Sequence, residues 1–266
     1  MFGTLVESAP TAKRFMRGAS YFGRRIISYW KFYWVFRRFR DFTMIPAITY
    51  MKNLAVVEKY GVVPGIIVEC GVWKGGMIAG IASILGPRRE YFLFDSFDGL
   101  PQAKAIDGEK ALSWQADKSS PAYHDNCKAS VNSAKQVMEL AGVQSFRVVA
   151  GWFEDSLSAF TPNQPIAVLR LDADWYDSTL TCLRRLYPFV AEGGLIILDD
   201  YYAWDGCARA LHDFLSESSL AGRIRQYDND VCFLIKKTVS GNLTAQTKMD
   251  RYTKQPELAS DICSSN

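Results

Sequence analysis

Two apolar runs that end in paired carboxylates constrain this chain most. VLRLDAD delivers Asp172 and Asp174, and LIILDD delivers Asp199 and Asp200. A run of aliphatic residues bounded by turn signals reads as a buried parallel strand. In an open α/β sheet, ligands bind beyond the carboxyl ends of such strands. Two neighbouring strands would therefore gather four carboxylates at one rim. Like charges that close repel and raise one another's pKa unless a cation or a shared proton intervenes. A divalent cation is the sharper reading; aspartates that only cap the following helix are the plainer one.

The rest of the chain supplies the sheet those runs need. IIVEC (Ile66 to Cys70) leads into GVWKGG and a helix through Leu85, and YFLFD ends at Asp95. A helix from Asn126 to Ala141 precedes FRVVAG, one from about Ser178 to Phe189 follows IAVLRLD, and one from about Gly206 to Ser216 follows LIILDD. IRQYD and VCFLIKK close the series, joined by a turn at Asn229 and Asp230. Alternating strands and helices predict an α/β fold: a Rossmann-like, doubly wound, mostly parallel seven-stranded sheet with a C-terminal antiparallel hairpin. Right-handed crossovers place the turns after strands one, two, four and five at the same rim. The connection from Ser96 to Pro121 is too long for a simple loop and reads as part of a lid. Three regions result: an N-terminal helical arm and lid at 1–60, the sheet domain at 61–238 and a polar tail at 239–266.

Charge is concentrated at the start. Nine basic residues in the first forty (Lys13, Arg14, Arg17, Arg24, Arg25, Lys31, Arg37, Arg38, Arg40) face Glu7 alone. Their interleaving with aromatics in YFGRRIISYWKFYWVFRRFR suits an amphipathic helix. It would lie on a membrane surface or against protein, either the chain's own body or the mate in an expected homodimer. No nucleic-acid motif accompanies the charge, so no nucleic-acid partner is expected. Six scattered cysteines without a CxxC pair fit a reducing compartment. No apolar run is long enough to span a bilayer, and no signal peptide is read at the N-terminus. The expectation is a cytoplasmic protein with peripheral contact to the inner membrane face through residues 11–40.

Four motifs carry the chemistry. In VECGVWKGG, Glu69 stands beside a glycine turn whose backbone can approach a ligand closely. It would repel a phosphate and welcome an amine-bearing ligand such as S-adenosylmethionine; tight packing is the plainer reading. In FDSF, Asp95 ends the second strand where a carboxylate can accept both ribose hydroxyls. In GWFEDSL, Trp152 and Phe153 form either an apolar wall for adenine or ordinary core. Asp172, Asp199 and Asp200 can supply oxygen ligands to a hard cation. Asp174 points the same way as Asp172 in an extended strand, where it can act as general base. His212, in the helix after LIILDD, is a second base candidate, although a solvated or capping histidine is commoner.

In this order, TMIPAITYMKNL, GIIVECGVWKGGM, YFLFDSFDGLP, GWFEDSL, LRLDADWYDSTLTCLRRLYPFVAEGGLIILDDYYAWDGCARALHDF and VCFLIKK resemble the macrocin O-methyltransferase family of class I methyltransferases, over roughly residues 42 to 237. The resemblance implies methyl transfer from S-adenosylmethionine to a hydroxyl, usually of a sugar in a natural product or glycan, with Mg²⁺. It implies that Glu69, Gly71, Asp95 and Ser96 hold the cofactor. By the same resemblance Asp172, Asp199 and Asp200 hold the metal, Asp174 is the base, and Thr43 and Met44 lie near the site. Cys70 stands where threonine is commoner in the family, Ala173 where glycine is usual, and residues 11–40 match no family hallmark. A catechol-type O-methyltransferase and a non-catalytic cofactor-binding subunit are the competing readings.

Overall fold

The computed structural model describes residues 29–220 and 222–237, so the arm before residue 29 and the polar tail lie outside the described residues. Residues 29–39 are helical (α1), followed by α2 (Ala47–Tyr60). Five parallel strands then alternate with helices: β1 (Ile66–Cys70), α3 (Gly76–Leu85), β2 (Glu90–Asp95), α4 (Glu109–Ala116), α5 (Val131–Leu140), β3 (Ser145–Ala150), α6 (Phe153–Ser156), β4 (Ile166–Leu171), α7 (Tyr176–Leu186) and β5 (Val190–Leu198). After α8 (Asp205–Glu217), β6 (Arg225–Tyr227) and β7 (Val231–Ile235) form the antiparallel hairpin. Strand order is β3-β2-β1-β4-β5-β7-β6, the expected doubly wound sheet.

Both faces of the sheet are covered, which is why β1 and β4 are buried along their whole length. Ile67, Leu93, Val168 and Ile197 pack under α2, α3 and α5; Val68, Phe94, Leu169 and Ile196 pack under α7 and α8. Burial on both faces is what turns parallel strands into continuous apolar runs. Arg170 interrupts one such run yet is only 1% exposed. Strand alternation puts it on the α2 face with Val168, and the register sets it beside Glu69 of β1 and Ile197 of β5.

The connection from Ser96 to Pro121, expected to be more than a simple loop, contains α4, whose Trp114 stacks edge-on against Trp175 and Trp204 at 6.1 and 6.0 Å. One expectation changes in detail. The helix expected from Asn126 begins instead at Val131, capped by the Ser130 hydroxyl. His124 to Cys127 all adopt left-handed φ angles. Asn126 spends its side chain on the lid, donating from Nδ2 to Leu100 O at 2.7 Å and accepting from Gln115 Nε2 at 3.0 Å.

Candidate active site

Three backbone hydrogen bonds align the ends of β3, β2, β1 and β4 at the rim. Gly71 N donates to Phe94 O, Asp172 N to Cys70 O (both 2.8 Å) and Gly151 N to Asp95 O (2.9 Å). Gly71, Asp95 and Asp172 therefore stand side by side. Gly71 has φ +81°, and an added Cβ there would lie 1.7 Å from Asp172 O; only glycine lets the two turns pass. Asp95 is fixed by amides, accepting from Trp73 N at 2.8 Å and Phe97 N at 2.7 Å. Trp73, Phe97 and Asp174 all have positive φ, the kind of backbone strain that clusters at ligand sites.

One cavity opens at this rim, lined by Gly71, Asp95, Ser96, Trp152, Phe153, Asp172 and Asp174 among others. Met44 also lines it. The reason is local: a Cβ on Gly76 would meet Phe42 O at 2.5 Å and Thr43 Cβ at 3.0 Å, so the segment before α2 rests on the glycine turn. Thr43 itself faces its own turn, its Oγ1 accepting from Ile45 N at 3.2 Å. The lid contributes Leu100 and Pro101. Pro101 O accepts from Trp175 Nε1 at 2.9 Å, which ties the lid to the carboxylate strand.

The four rim aspartates divide differently from the sequence expectation. Ligand oxygens of Asp172, Asp174 and Asp200 lie within 4.8 Å of one another. Asp200 Oδ2 accepts from Asp174 N at 3.1 Å, and Asp174 Oδ1 accepts from Trp204 Nε1 at 2.9 Å. Asp199 turns the other way, onto Arg170 Nη2 at 2.6 Å. Arg170 Nη1 also meets Glu69 at 2.5 Å and Asp172 at 2.9 Å. Glu69, expected beside the cofactor, lies beneath the rim in this buried cluster and does not line the cavity. His212 does not line it either; it is exposed on α8, with Nε2 3.0 Å from Tyr201 Oη. Arg170 and Trp204 were both missed in the sequence. An arginine inside an apolar strand was the available signal, since a buried charge must be paired. Trp204 had none, because only the fold brings it to Asp174.

Three carboxylates, Glu69, Asp172 and Asp199, thus contact one guanidinium, and burial raises the proton affinity of Glu69, Asp172, Asp174 and Asp200. Desolvation, then repulsion from Asp172, pushes Asp174 up to about 8. Desolvation raises Glu69 to about 8 although Arg170 pulls the other way, and raises Asp172 to about 6 against the same pull. Asp200 is also raised, by burial and then by Asp174 and Asp172. The donor set suits a hard divalent cation: three converging carboxylates offer oxygen ligands and an excess of negative charge.

This electrostatic excess makes a prediction. Groups whose folded pKa exceeds the unfolded value give stability that is fully present below about pH 4 and lost as pH rises through about 6 to 8. The metal-free protein should therefore melt at a lower temperature near pH 8.5 than near pH 6. Added Mg²⁺ should raise the melting temperature more at the higher pH. Scanning calorimetry in chelator-treated buffer checks both.

Comparison with known proteins agrees with this geometry. The sequence model of the macrocin-O-methyltransferase (TylF) family matches residues 42–236. The chain is 33% identical over 184 residues to the 8-demethyl-8-(2,3-dimethoxy-alpha-L-rhamnosyl)-tetracenomycin-C 4'-O-methyltransferase of Streptomyces olivaceus, covering 64% of this chain and 66% of that one. It is 31% identical over 176 residues to the demethyldecarbamoylnovobiocin O-methyltransferase of Streptomyces niveus, covering 63% and 64%. The matches thus span a little under two thirds of these relatives' lengths. The solved O-methyltransferase NovP superposes with a TM-score of 0.60 at 28% identity, over 74% of this chain and 83% of NovP. The calicheamicin methyltransferase CalS11 shares the fold, with a TM-score of 0.55 at 17% identity over 86% and 94%. With its family match running from the segment before α2 to the end of β7, the chain belongs to the macrocin-O-methyltransferase family.

Proposed function

We propose that this chain is an S-adenosylmethionine-dependent O-methyltransferase acting on a sugar hydroxyl of a natural product. The observation that carries the reading is one cavity lined together by Gly71 and Trp73 of the glycine turn, by Asp95, and by Asp172 and Asp174. Asp95, held by two amides, keeps lone pairs for the ribose hydroxyls, and Gly71 lets the cofactor approach the backbone. Trp152, 39% exposed at the cavity wall, and Phe153 offer flat apolar surface to adenine; Ser96 and Met44 border the same space. The relatives' names favour the acceptor class, since they describe methylation of a rhamnosyl 4'-hydroxyl and of mycinamicin III at 3''.

The reaction is a direct displacement in which an acceptor oxygen takes the methyl from sulfur and the sulfonium loses its charge. The protein's main contribution is to hold oxygen, carbon and sulfur in line. Asp174, desolvated and held by the Trp204 indole, takes the hydroxyl proton. Asp172 and Asp200, with Asp174 beside them, would hold Mg²⁺, which when bound lowers the pKa of the acceptor hydroxyl. Asp199 supports them through Arg170. His212, bonded to Tyr201 away from the cavity, takes no part.

Titration calorimetry with S-adenosylhomocysteine, with and without Mg²⁺, tests the reading. Micromolar binding is expected, weakened by at least roughly tenfold in Asp95→Ala, which removes charge-assisted hydrogen bonds. Absence of binding under either condition would overturn it.

A further inference from the structure

Helix α1 has two apolar faces, and the body of the protein uses one of them. Phe32 and Phe39 are buried, and Val35 and Phe36 pack beside them on the core. Lys31 pairs with Glu58 of α2 at 2.8 Å, and Arg38 Nη2 donates to Leu140 O at the end of α5. The helix is thus seated on the domain in a fixed rotation. That rotation leaves Trp30 60% exposed and Trp34 64% exposed, one turn apart on the same side. Tyr33 makes an edge contact with each ring at 6.2 Å. Arg37, one further turn along this stripe, is exposed and has no ion pair among the described residues.

We propose that the Trp30–Trp34–Arg37 stripe docks the protein on an anionic lipid surface, with the indoles at headgroup level and the guanidinium among the phosphates. Tryptophan favours that interface because its ring is apolar and its N–H needs a polar partner. Charge points the same way: nine cationic residues in the first forty meet one acidic residue, and lysines and arginines beside an anionic bilayer are drawn to it even though Lys31 and Arg40 also pair with Glu58 and Asp41. A second copy of the chain fits the stripe less well. A two-fold interface sets a patch against itself, so this arm would oppose its own positive charge. No helix among the described residues is long and apolar enough to cross a membrane; the contact proposed for this stripe is a peripheral one. It is independent of the proposed methyl transfer.

Co-sedimentation of the full chain with vesicles decides the matter. Binding is expected to vesicles of equal parts phosphatidylcholine and phosphatidylglycerol, falling with salt, and little to phosphatidylcholine alone. The double variant Trp30→Ala/Trp34→Ala should reduce partitioning by roughly tenfold or more, and Arg37→Glu separately by about tenfold. Both change exposed side chains, so circular dichroism and melting temperature should match the wild type. Equal binding to neutral vesicles, or unchanged binding by either variant, would overturn the proposal. So would a lipid-free dimer that dissociates in the tryptophan variant while the wild type ignores vesicles.

Discussion

Asp174→Asn is expected to lower methyl transfer by about 100- to 10,000-fold, the range for losing a positioned general base, while leaving the protein folded and no less stable. Asparagine is nearly isosteric and tolerates the left-handed φ of +53° at this position. Its side-chain oxygen can still accept from Trp204 Nε1, as Asp174 Oδ1 does at 2.9 Å. What it loses is charge. Asp172, Asp174 and Asp200 crowd their oxygens within 4.8 Å, so neutralising one relieves repulsion on the other two. In metal-free buffer near pH 9, above the value of about 8 to which Asp174 is raised, the variant should therefore melt at or above the wild-type temperature. A structural aspartate gives the opposite pattern, with stability and activity falling together. Initial rates on a sugar acceptor at saturating cofactor, paired with calorimetry, separate the two. Wild-type activity in the variant would remove Asp174 from the proposed chemistry.

The fold was legible because parallel strands buried on both faces must be apolar throughout, and glycines and aspartates mark their ends. Seven strands could be read in order for that reason, including the closing hairpin at Asn229 and Asp230. The rim was legible too, since doubly wound topology sends Gly71, Asp95 and Asp172 to one edge whatever the side chains do. The partition of the carboxylates was not. Asp199 and Asp200 are adjacent, and which one joins Asp172 and Asp174 depends on the short helical turn after β5 and on a guanidinium one strand away. Sequence spacing cannot show that Arg170 stands beside Glu69 and Ile197, because register is set by the whole sheet. The start of α5 was misplaced for a similar reason. Asn126 is a poor guide to local structure when its side chain is bonded to Leu100 and Gln115 of a distant lid and its carbonyl to Leu100 N.

Arg170→Met should have the largest effect on stability. The guanidinium is only 1% exposed and holds Glu69, Asp172 and Asp199 at 2.5, 2.9 and 2.6 Å. Methionine replaces its volume but leaves three carboxylates without a cation. Breaking a buried ion pair by removing one partner costs about 3–5 kcal/mol, which for a chain of this size lowers the melting temperature by roughly 6–20 °C. Because the cost is uncompensated charge and not lost packing, it should be reversible. Glu69→Gln on the Arg170→Met background removes the most enclosed of the stranded charges and should recover part of the loss. The same Glu69→Gln in the wild type should bring no gain, since it takes from Arg170 a carboxylate held at 2.5 Å. This non-additivity is the expected signature of groups sharing one partner. If Glu69→Gln instead adds its own penalty to that of Arg170→Met, packing dominates the cluster and the electrostatic account of the site's foundation fails. Acidic buffer offers an independent check. Protonating the stranded carboxylates should narrow the gap between Arg170→Met and wild type as pH falls from about 8 toward 5, whereas a packing defect would be indifferent to pH.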